Sequence, residues 1–215
     1  KACVKVLNKP FQAKLTPPAA QMFDTLGRYS SFVYRIIFSN IKLFLPVLDM
    51  ICKSGGGEMN ALMRTTVAFT QAQGSSATNV IPPEASLVSN IRLNPADDME
   101  SALEYIKKTV ADDRVEVTCM HGMNPSRISR TDCEGWDKVA SAVASTWKGC
   151  IVAPYLMVQC SDSRHWGRIS DRVYRFSAMD LSSEERATIH GNNEKIRLDA
   201  LARSNEFYIR LMKKC

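Results

Sequence analysis

The stretch MRTTVAFTQAQGSSATNVIPPEASLVSNIRL, residues 63–93, holds two apolar segments separated by a polar turn, and it decides the fold. Residues 63–70 are rich in the β-branched side chains that favour strands. In residues 85–93, apolar and polar side chains alternate with period two, as they do in a half-buried strand. The intervening GSSATN is a turn, so the stretch predicts two strands that follow each other along the chain.

A helix is predicted directly after these strands. Asn94-Pro95 closes the second strand, and Asp97 or Asp98 can cap the helix that follows. Five apolar residues then fall on one helical face, namely Met99, Ala102, Leu103, Ile106 and Val110.

A third strand is predicted at residues 115–120, which read VEVTCM. The order β-β-α-β is the core of a small α/β sandwich. A second unit also combines helix and strand elements, with a helix predicted over 136–148 and short strands at 151–158 and 173–177. The final helix, 194–213, is expected to place Leu201, Ser204, Tyr208 and Leu211 on one face. The fold class is therefore α/β.

Composition excludes several classes of protein. The 215 residues carry a net charge of +6, but the basic residues are scattered and form no dense run, which argues against nucleic acid as a partner. Seven cysteines, an odd number without a CxxC pair, argue against a disulfide scaffold and a cysteine-rich zinc module. Mostly buried, reduced thiols are expected instead.

Residues 1–60 are expected to be irregularly helical and rich in apolar side chains. No apolar run approaches the roughly 20 residues that span a bilayer. The richest run, IKLFLPVLDMI at 41–51, contains Lys42, Pro46 and Asp49, so it is either an amphipathic helix or a surface for a partner. The chain shows no signal peptide, and it starts at Lys1, so a native N-terminus is expected to be missing.

Three polar stretches are not explained by the strand and helix patterns. They are Asn79 with Arg92, the turn CSDSR at 160–164, and His190 with Glu194 four residues later. Each has an ordinary alternative: a turn asparagine with a surface arginine, a connecting loop, and a histidine in a helix-capping loop. One histidine does not make a zinc site, because three or four protein ligands are needed.

In this order the stretches resemble the family of two-zinc amidohydrolases that includes aminoacylase, carboxypeptidase S and succinyl-diaminopimelate desuccinylase. The resembling pieces are NVIPPEASLVSNIRLNP, SDSRHW and VYRFSAMDLSSEERATIHGNNEKI. The segments RIIFSNIKLFLPVL and ALMRTTVAFT look closest to the carboxypeptidase-S branch, which includes enzymes that make and cleave N-acyl amino acids. The resemblance covers nearly all of the chain.

The resemblance implies a role for each polar stretch. His190 matches a ligand of one of two zinc ions, and Glu194 orients His190 or the start of the helix. Arg164 matches the arginine that holds the carboxylate of the substrate, a task that suits the guanidinium fork. Asn79 and Arg92 match polar residues of the lid domain that reach the substrate, often in the active site of the partner subunit.

Asp162 is expected to position Arg164 rather than to bind metal. The family also uses a His-x-Asp motif, a bridging aspartate and a Glu-Glu pair whose first member is the general base, and this sequence has none of them in a plausible site. The chain is therefore expected to be a C-terminal fragment. It comprises a lid (dimerisation) domain at 1–124, without its first strand, and the C-terminal part of a catalytic domain at 125–215.

The resulting hypothesis is one part of a zinc-dependent hydrolase that cleaves or forms the amide bond of N-acyl amino acids or dipeptides. The chain would form a homodimer through the lid and be inactive alone, without the N-terminal half of the catalytic domain. The alternative is a non-catalytic dimerisation protein derived from the same family. A cytoplasmic location is slightly favoured by the cysteines, and the carboxypeptidase-S resemblance keeps a vacuolar or secreted location open.

Overall fold

The computed structural model describes residues 1–159 and 161–215, and within them it contains ten helices and one pair of strands. The helices are α1 (Ala2–Asn8), α2 (Pro17–Arg28), α3 (Phe32–Ser39), α4 (Leu45–Ser54), α5 (Gly57–Met63), α6 (Met99–Val110), α7 (Glu134–Thr146), α8 (Ser163–Trp166), α9 (Ser183–Ala187) and α10 (Leu198–Met212). The strands are β1 (Thr66–Gln73) and β2 (Ser86–Arg92). The mixed α/β class is confirmed.

The two strands form an antiparallel hairpin. Thr66 pairs with Arg92 at one end and Gln73 pairs with Ser86 at the other, where the loop joins the strands. The register shifts between Phe69 and Gln71, as at a β-bulge, which increases the local twist. The strands predicted from the sequence are therefore present, displaced by a few residues.

Helix α6 follows the prediction closely. The Asp98 carboxylate accepts the Ser101 backbone N–H at 2.7 Å, and the Ser101 hydroxyl accepts the Asp98 N–H at 3.1 Å. This reciprocal pair satisfies two N–H groups that a helix start leaves without partners. The five apolar residues expected on one face are all buried or half-buried. Ala111 ends the helix in the left-handed conformation, at φ 44°.

The third predicted strand, residues 115–120, is not formed. Within the described residues, no backbone–backbone hydrogen bond joins residues 116–120 to another segment. Alternation of side chains predicts an extended segment, but a strand also needs a neighbour with which to share its hydrogen bonds. The prediction of a β-β-α-β unit is wrong in its last element.

The strands predicted at 151–158 and 173–177 are also absent as ladder elements among the described residues. Beside the second segment, the Ser129 hydroxyl accepts the Val173 N–H at 3.1 Å and donates to the Val173 carbonyl at 2.7 Å. A serine side chain thus occupies the backbone groups that a neighbouring strand would have used. Three side chains of the first segment, those of Ala153, Leu156 and Val158, pack on the core without a ladder.

The largest buried cluster combines both predicted domains. Its fully buried members come from α2, α4 and α5 and include Phe23, Leu48 and Leu62. Half-buried residues of the segment 151–158 pack against it, namely Ala153, Leu156 and Val158. Arg64, at the end of α5, is 3% exposed, pairs with Asp49, and donates to the Phe11 carbonyl at 2.7 Å. Burial lowers the pKa of its guanidinium.

Helix α10 begins at Leu198, four residues later than predicted, and only part of the expected face turns inward. Ser204 and Leu211 are half-buried, and Leu211 packs on the cluster around Phe207. Ala200 and Phe207 are buried, whereas Leu201 and Tyr208 are each 45% exposed. Phe207 packs with Ala142 and Ala178, so the position of α7 decided which side of α10 faces inward.

The cysteines are less buried than expected. Six of them are described and are free thiols, but only Cys52 is buried, and its burial raises the pKa of the thiol. The seventh, Cys160, lies outside the described residues. Among the described helices, none is long and apolar enough to cross a membrane.

Candidate active site

His190 lies in a tight turn between α9 and α10, with its backbone in the left-handed region at φ 62°. Asn193 shares this conformation at φ 61°, and the Gly191 N–H closes the turn on the Thr188 carbonyl at 2.8 Å. Positive φ is uncommon for residues with a Cβ, although histidine and asparagine adopt it more readily than most. The turn presents an exposed histidine on an unusual backbone.

Two carboxylates fix this turn. Glu194 accepts the backbone N–H of His190 at 3.2 Å. Glu185 binds Arg197 at 2.8 Å, just before α10, and accepts the Ser182 backbone N–H at 2.8 Å. The pKa of Glu185 is lowered, first by that N–H of Ser182 and also by the charge of Arg197.

The side chains around His190 do not complete a metal site within the described residues. Among residues 1–159 and 161–215, no group of three or more His, Cys, Asp and Glu side chains could hold a metal ion. Structural and catalytic zinc sites take at least three protein ligands. The residues described here do not by themselves fit a zinc ion, and His190 supplies at most one ligand.

Arg164 lies in the single turn α8, exposed to solvent. Its backbone N–H binds the Ser161 carbonyl at 3.1 Å, and its Nε lies 3.5 Å from Nε2 of His165. The neighbouring Ser163 hydroxyl accepts from Nε of Arg175 at 2.9 Å, which ties the turn to the segment after it. No ion pair between Asp162 and Arg164 occurs in the described part of the chain; the Asp162 carbonyl instead accepts the His165 N–H at 3.0 Å.

Asn79 and Arg92 occupy different parts of the hairpin. Asn79 lies in a turn of the exposed loop 74–85, which joins β1 to β2. Arg92 is the last residue of β2, opposite Thr66, at the end of the ladder away from that loop. The ladder itself does not place the two side by side. For the six predicted site residues, the mutual contact that the structure describes joins Glu194 to the backbone N–H of His190.

Three residues that the sequence did not single out connect the His190 region to the rest of the fold. Glu58 of α5 accepts from the Tyr155 hydroxyl at 2.6 Å and from Arg186 of α9 at 3.0 Å. The pKa of Glu58 is lowered, first by the Tyr155 hydroxyl, and the pKa of Tyr155 is raised, first by burial. Glu58 is 97 residues from Tyr155 and 128 from Arg186, so no spacing in the sequence signals this bridge.

Comparison with known proteins places the hairpin and α6 in a described domain. Residues 20–118 match the family model of the peptidase dimerisation domain, M20_dimer. The chain is 34% identical over 196 residues to the N-fatty-acyl-amino acid synthase/hydrolase PM20D1 of Xenopus tropicalis, a match that covers 91% of the chain and 38% of the relative. No solved structure matches the chain.

Further relatives agree with this match. The probable carboxypeptidase S-like 2 of Dictyostelium discoideum is 30% identical over 213 residues, which cover 99% of the chain and 41% of the relative. PM20D1 of Mus musculus is 32% identical over 83% of the chain and 36% of the relative. The chain thus spans about two fifths of the length of these relatives. These matches show that the chain belongs to the M20 peptidase family, contains residues of its dimerisation domain, and is related to the carboxypeptidase S-like members.

Proposed function

We propose that this chain is one part of an M20 hydrolase that cleaves or forms the amide bond between an acyl or aminoacyl group and an amino acid with a free carboxylate. The observation that carries the proposal is the His190 turn, in which an exposed histidine is held at positive φ by the carboxylate of Glu194. The name of the Xenopus tropicalis relative, an N-fatty-acyl-amino acid synthase/hydrolase, supports this substrate class.

Arg164 is the proposed site for the carboxylate of the substrate. Arg164 is exposed, and its guanidinium is always positively charged. Two of its N–H groups can donate in parallel to the two oxygens of a carboxylate. The backbone N–H of Arg164 is bound to the Ser161 carbonyl, and its Nε lies 3.5 Å from Nε2 of His165. Asp162 would act through the backbone of the turn α8.

Asn79 and Arg92 are proposed to orient the substrate and to stabilise the oxyanion that forms during attack on the amide. Both belong to the dimerisation domain, in the hairpin. We propose that residues 1–124 form the lid, that residues 125–215 belong to a catalytic domain, and that two lids pair in a homodimer. The lid residues of one protomer would then serve the active site of the other.

Zinc enters this proposal only through His190. The described residues do not make a zinc site, so His190 would join ligands that lie outside this chain. Bound zinc would lower the pKa of a water molecule toward neutrality. A general base is also not assigned within this chain, and we therefore expect the 215 residues to be inactive alone.

A non-catalytic dimerisation protein is the second candidate. It is favoured by one observation, namely that the described residues contain no group of side chains able to hold a metal ion. The two candidates differ in zinc content and in hydrolysis of N-acyl amino acids.

The test is the intact mass, zinc content and N-acyl amino acid hydrolase activity of the protein purified from its source. Co-purification with a second polypeptide, together with bound zinc that His190→Ala removes and His121→Ala retains, is the expected result. His121 is an exposed histidine outside the proposed site and serves as the matched control. A zinc-free chain without a companion and without activity would instead establish the non-catalytic protein.

A further inference from the structure

A cavity of about 460 Å³ lies beside α8 and has no role in the proposed active site. Three of its lining residues are arginines and one is an aspartate, so positive charges exceed negative ones by two. The cavity, called the arginine cavity below, is lined by Arg127, Arg168, Ile169, Ser170, Asp171 and Arg172. The arginines are distant in sequence, and the fold brings them to one concave surface.

Two of these three arginines are not neutralised by an acidic side chain. Arg127 and Arg168 form no ion pair and no side-chain hydrogen bond within residues 1–159 and 161–215. Arg172 has a loose pair with the adjacent Asp171, at 3.6 Å. Guanidinium groups are always charged and repel one another, and an anion placed among them turns this repulsion into attraction.

The two segments that carry the arginines are fixed to each other by hydrogen bonds. The Arg130 N–H donates to the Asp171 carbonyl at 2.9 Å. The Ser129 hydroxyl accepts the Val173 N–H at 3.1 Å and donates to the Val173 carbonyl at 2.7 Å. None of these bonds uses a guanidinium of the cavity. The backbone therefore holds the arginines in place and leaves their N–H donors for a ligand.

We propose that the arginine cavity binds the phosphate group of a small phosphate monoester. Such a group carries about −1.5 to −2 charges at neutral pH and three acceptor oxygens. It thus matches both the excess of two positive charges and the three guanidiniums, whose forks pair well with phosphate oxygens. A carboxylate has one charge and two oxygens and would leave part of the cavity unmatched. The volume exceeds the roughly 300 Å³ of the smallest ligand sites, which leaves room for an organic group.

This proposal does not rest on the proposed function. Arg164, assigned above to the carboxylate of the substrate, is on α8 but does not line the arginine cavity. A failure of the zinc and hydrolysis test would leave the phosphate site unaffected, and the reverse also holds.

The test is isothermal titration calorimetry of the 215-residue chain with phenyl phosphate, inorganic phosphate and benzoate. Both phosphates should bind, and benzoate should bind at least about tenfold more weakly because it carries less charge. Binding should weaken as salt is added, since salt screens the exposed arginines. Phenyl phosphate should bind more tightly than inorganic phosphate, because its ring occupies the remaining volume. The opposite order would overturn the assignment to a monoester.

Variants locate the bound phosphate. Arg127→Gln and Arg168→Gln should each weaken the binding of phenyl phosphate by about tenfold, because each removes a charged donor. Arg35→Gln removes an exposed arginine outside the cavity and is the matched control. Arg164→Gln should retain most of the binding, since Arg164 does not line the cavity. Circular dichroism melts verify that each variant is folded.

Asp171→Asn gives a test of opposite sign. It removes the negative charge of the lining and keeps the backbone carbonyl that accepts the Arg130 N–H, so phenyl phosphate should bind more tightly. Damage to the fold would not improve binding. The proposal is overturned if neither phosphate binds, if Asp171→Asn weakens binding, or if Arg35→Gln or Arg164→Gln weakens it as much as the cavity variants.

Discussion

At the scale of single residues, the candidate site is determined by the conformation of the His190 turn. A histidine at φ 62° directs its side chain differently from a residue in the ordinary helical or extended regions. The Glu194 carboxylate accepts the backbone N–H of this residue and so stabilises the turn without using the imidazole. Glu194 thus has a defined structural contact, whether or not a metal is bound nearby.

Replacing Glu194 by Ala is expected to loosen this turn. The His190 N–H would lose its acceptor, and its amide hydrogen exchange should accelerate by up to about tenfold, since such a bond contributes about 0.5–1.5 kcal/mol. Hydrogen exchange followed by NMR measures the effect. Glu184→Ala, at a neighbouring exposed glutamate, is the control, and equal exchange rates in the two variants would argue against the contact.

At the scale of elements, short-range signals and close approaches decide which segments form and how they pack. The start of α6 is set by Asp98 and Ser101, which are three residues apart and bind each other reciprocally. The contact between α2 and α3 depends on a position where only a hydrogen atom fits, namely Gly27 beneath Phe38. Each of these features gives a test of its own.

The cap of α6 predicts a pH dependence of stability. The pKa of Asp98 is lowered from its ordinary 3.8, first by the backbone N–H of Ser101 and then by its hydroxyl. A lowered pKa in the folded state means that the stabilisation is present above pH 3.8 and is lost as the pH falls through the folded value. The difference in Tm between wild type and Asp98→Asn should therefore shrink below pH 3.8.

Thermal melts between neutral pH and about pH 2 measure this difference. Ser101→Ala removes the hydroxyl but keeps the backbone N–H, so its effect should be smaller than that of Asp98→Asn. A difference in Tm that stays constant across this range would exclude the ionised carboxylate as the cause.

The packing of α3 on α2 predicts that Gly27→Ala is destabilising. The added Cβ would meet the Cβ of Phe38 at 2.7 Å, so α3 must move or Phe38 must change its position. The free energy of unfolding should fall by about 1–2 kcal/mol, because overpacking outweighs the better helix propensity of alanine. Denaturant titration measures this change.

Gly57→Ala is the matched control for this prediction. Gly57 also lies in a helix, but no atom lies within 4 Å of a Cβ added there. Alanine at this position should leave the stability unchanged or raise it by up to about 1 kcal/mol. Equal effects at both glycines would contradict the role of the α2–α3 contact.

At the scale of the whole molecule, long-range contacts join the two parts that the sequence divides at residue 124. Ala153, Leu156 and Val158 pack on the cluster formed by α2, α4 and α5. The Tyr155 hydroxyl lies in the same segment and binds Glu58, which also binds Arg186. The His190 turn is thereby connected to the dimerisation domain through α9.

Tyr155→Phe tests this connection. Loss of the hydroxyl removes one of the two donors to Glu58 and should lower the free energy of unfolding by about 1 kcal/mol, a modest effect because the bridge is partly exposed. Tyr208→Phe is the control, because the two tyrosines are 46% and 45% exposed. Indistinguishable unfolding curves for the two variants would show that the bridge does not stabilise the fold.

The sequence predicted elements best where the signal is local. The period of α6, its cap and the two strands of the hairpin were all visible in short windows. The predictions of strands at 115–120, 151–158 and 173–177 were wrong. An apolar or alternating run of side chains indicates an extended chain, but it does not show whether a neighbouring strand is present to share its hydrogen bonds. For residues 173–177, the partner was the Ser129 side chain, 44 residues away.

For the candidate site, the sequence supplied residue types and their order, and the structure supplied their surroundings. Glu194 accepts the backbone N–H of His190, four residues earlier, and its role in orienting a zinc ligand stays a prediction. The bridge from Glu58 to Arg186 was not foreseen, because 128 residues separate its ends. The roles of Arg164, Asn79 and Arg92 toward a substrate remain predictions.

By itself, the sequence determined the mixed α/β class, the hairpin, the boundaries of α6 and membership of the M20 family, because each rests on local periodicity or on ordered motifs. Only the tertiary structure decided which side of α10 is buried, which extended segments lack a ladder, and that α3 presents its apolar face to solvent. The physical reason is that burial and hydrogen bonding depend on neighbours distant in sequence, such as Phe23 for Phe38 and α7 for Phe207.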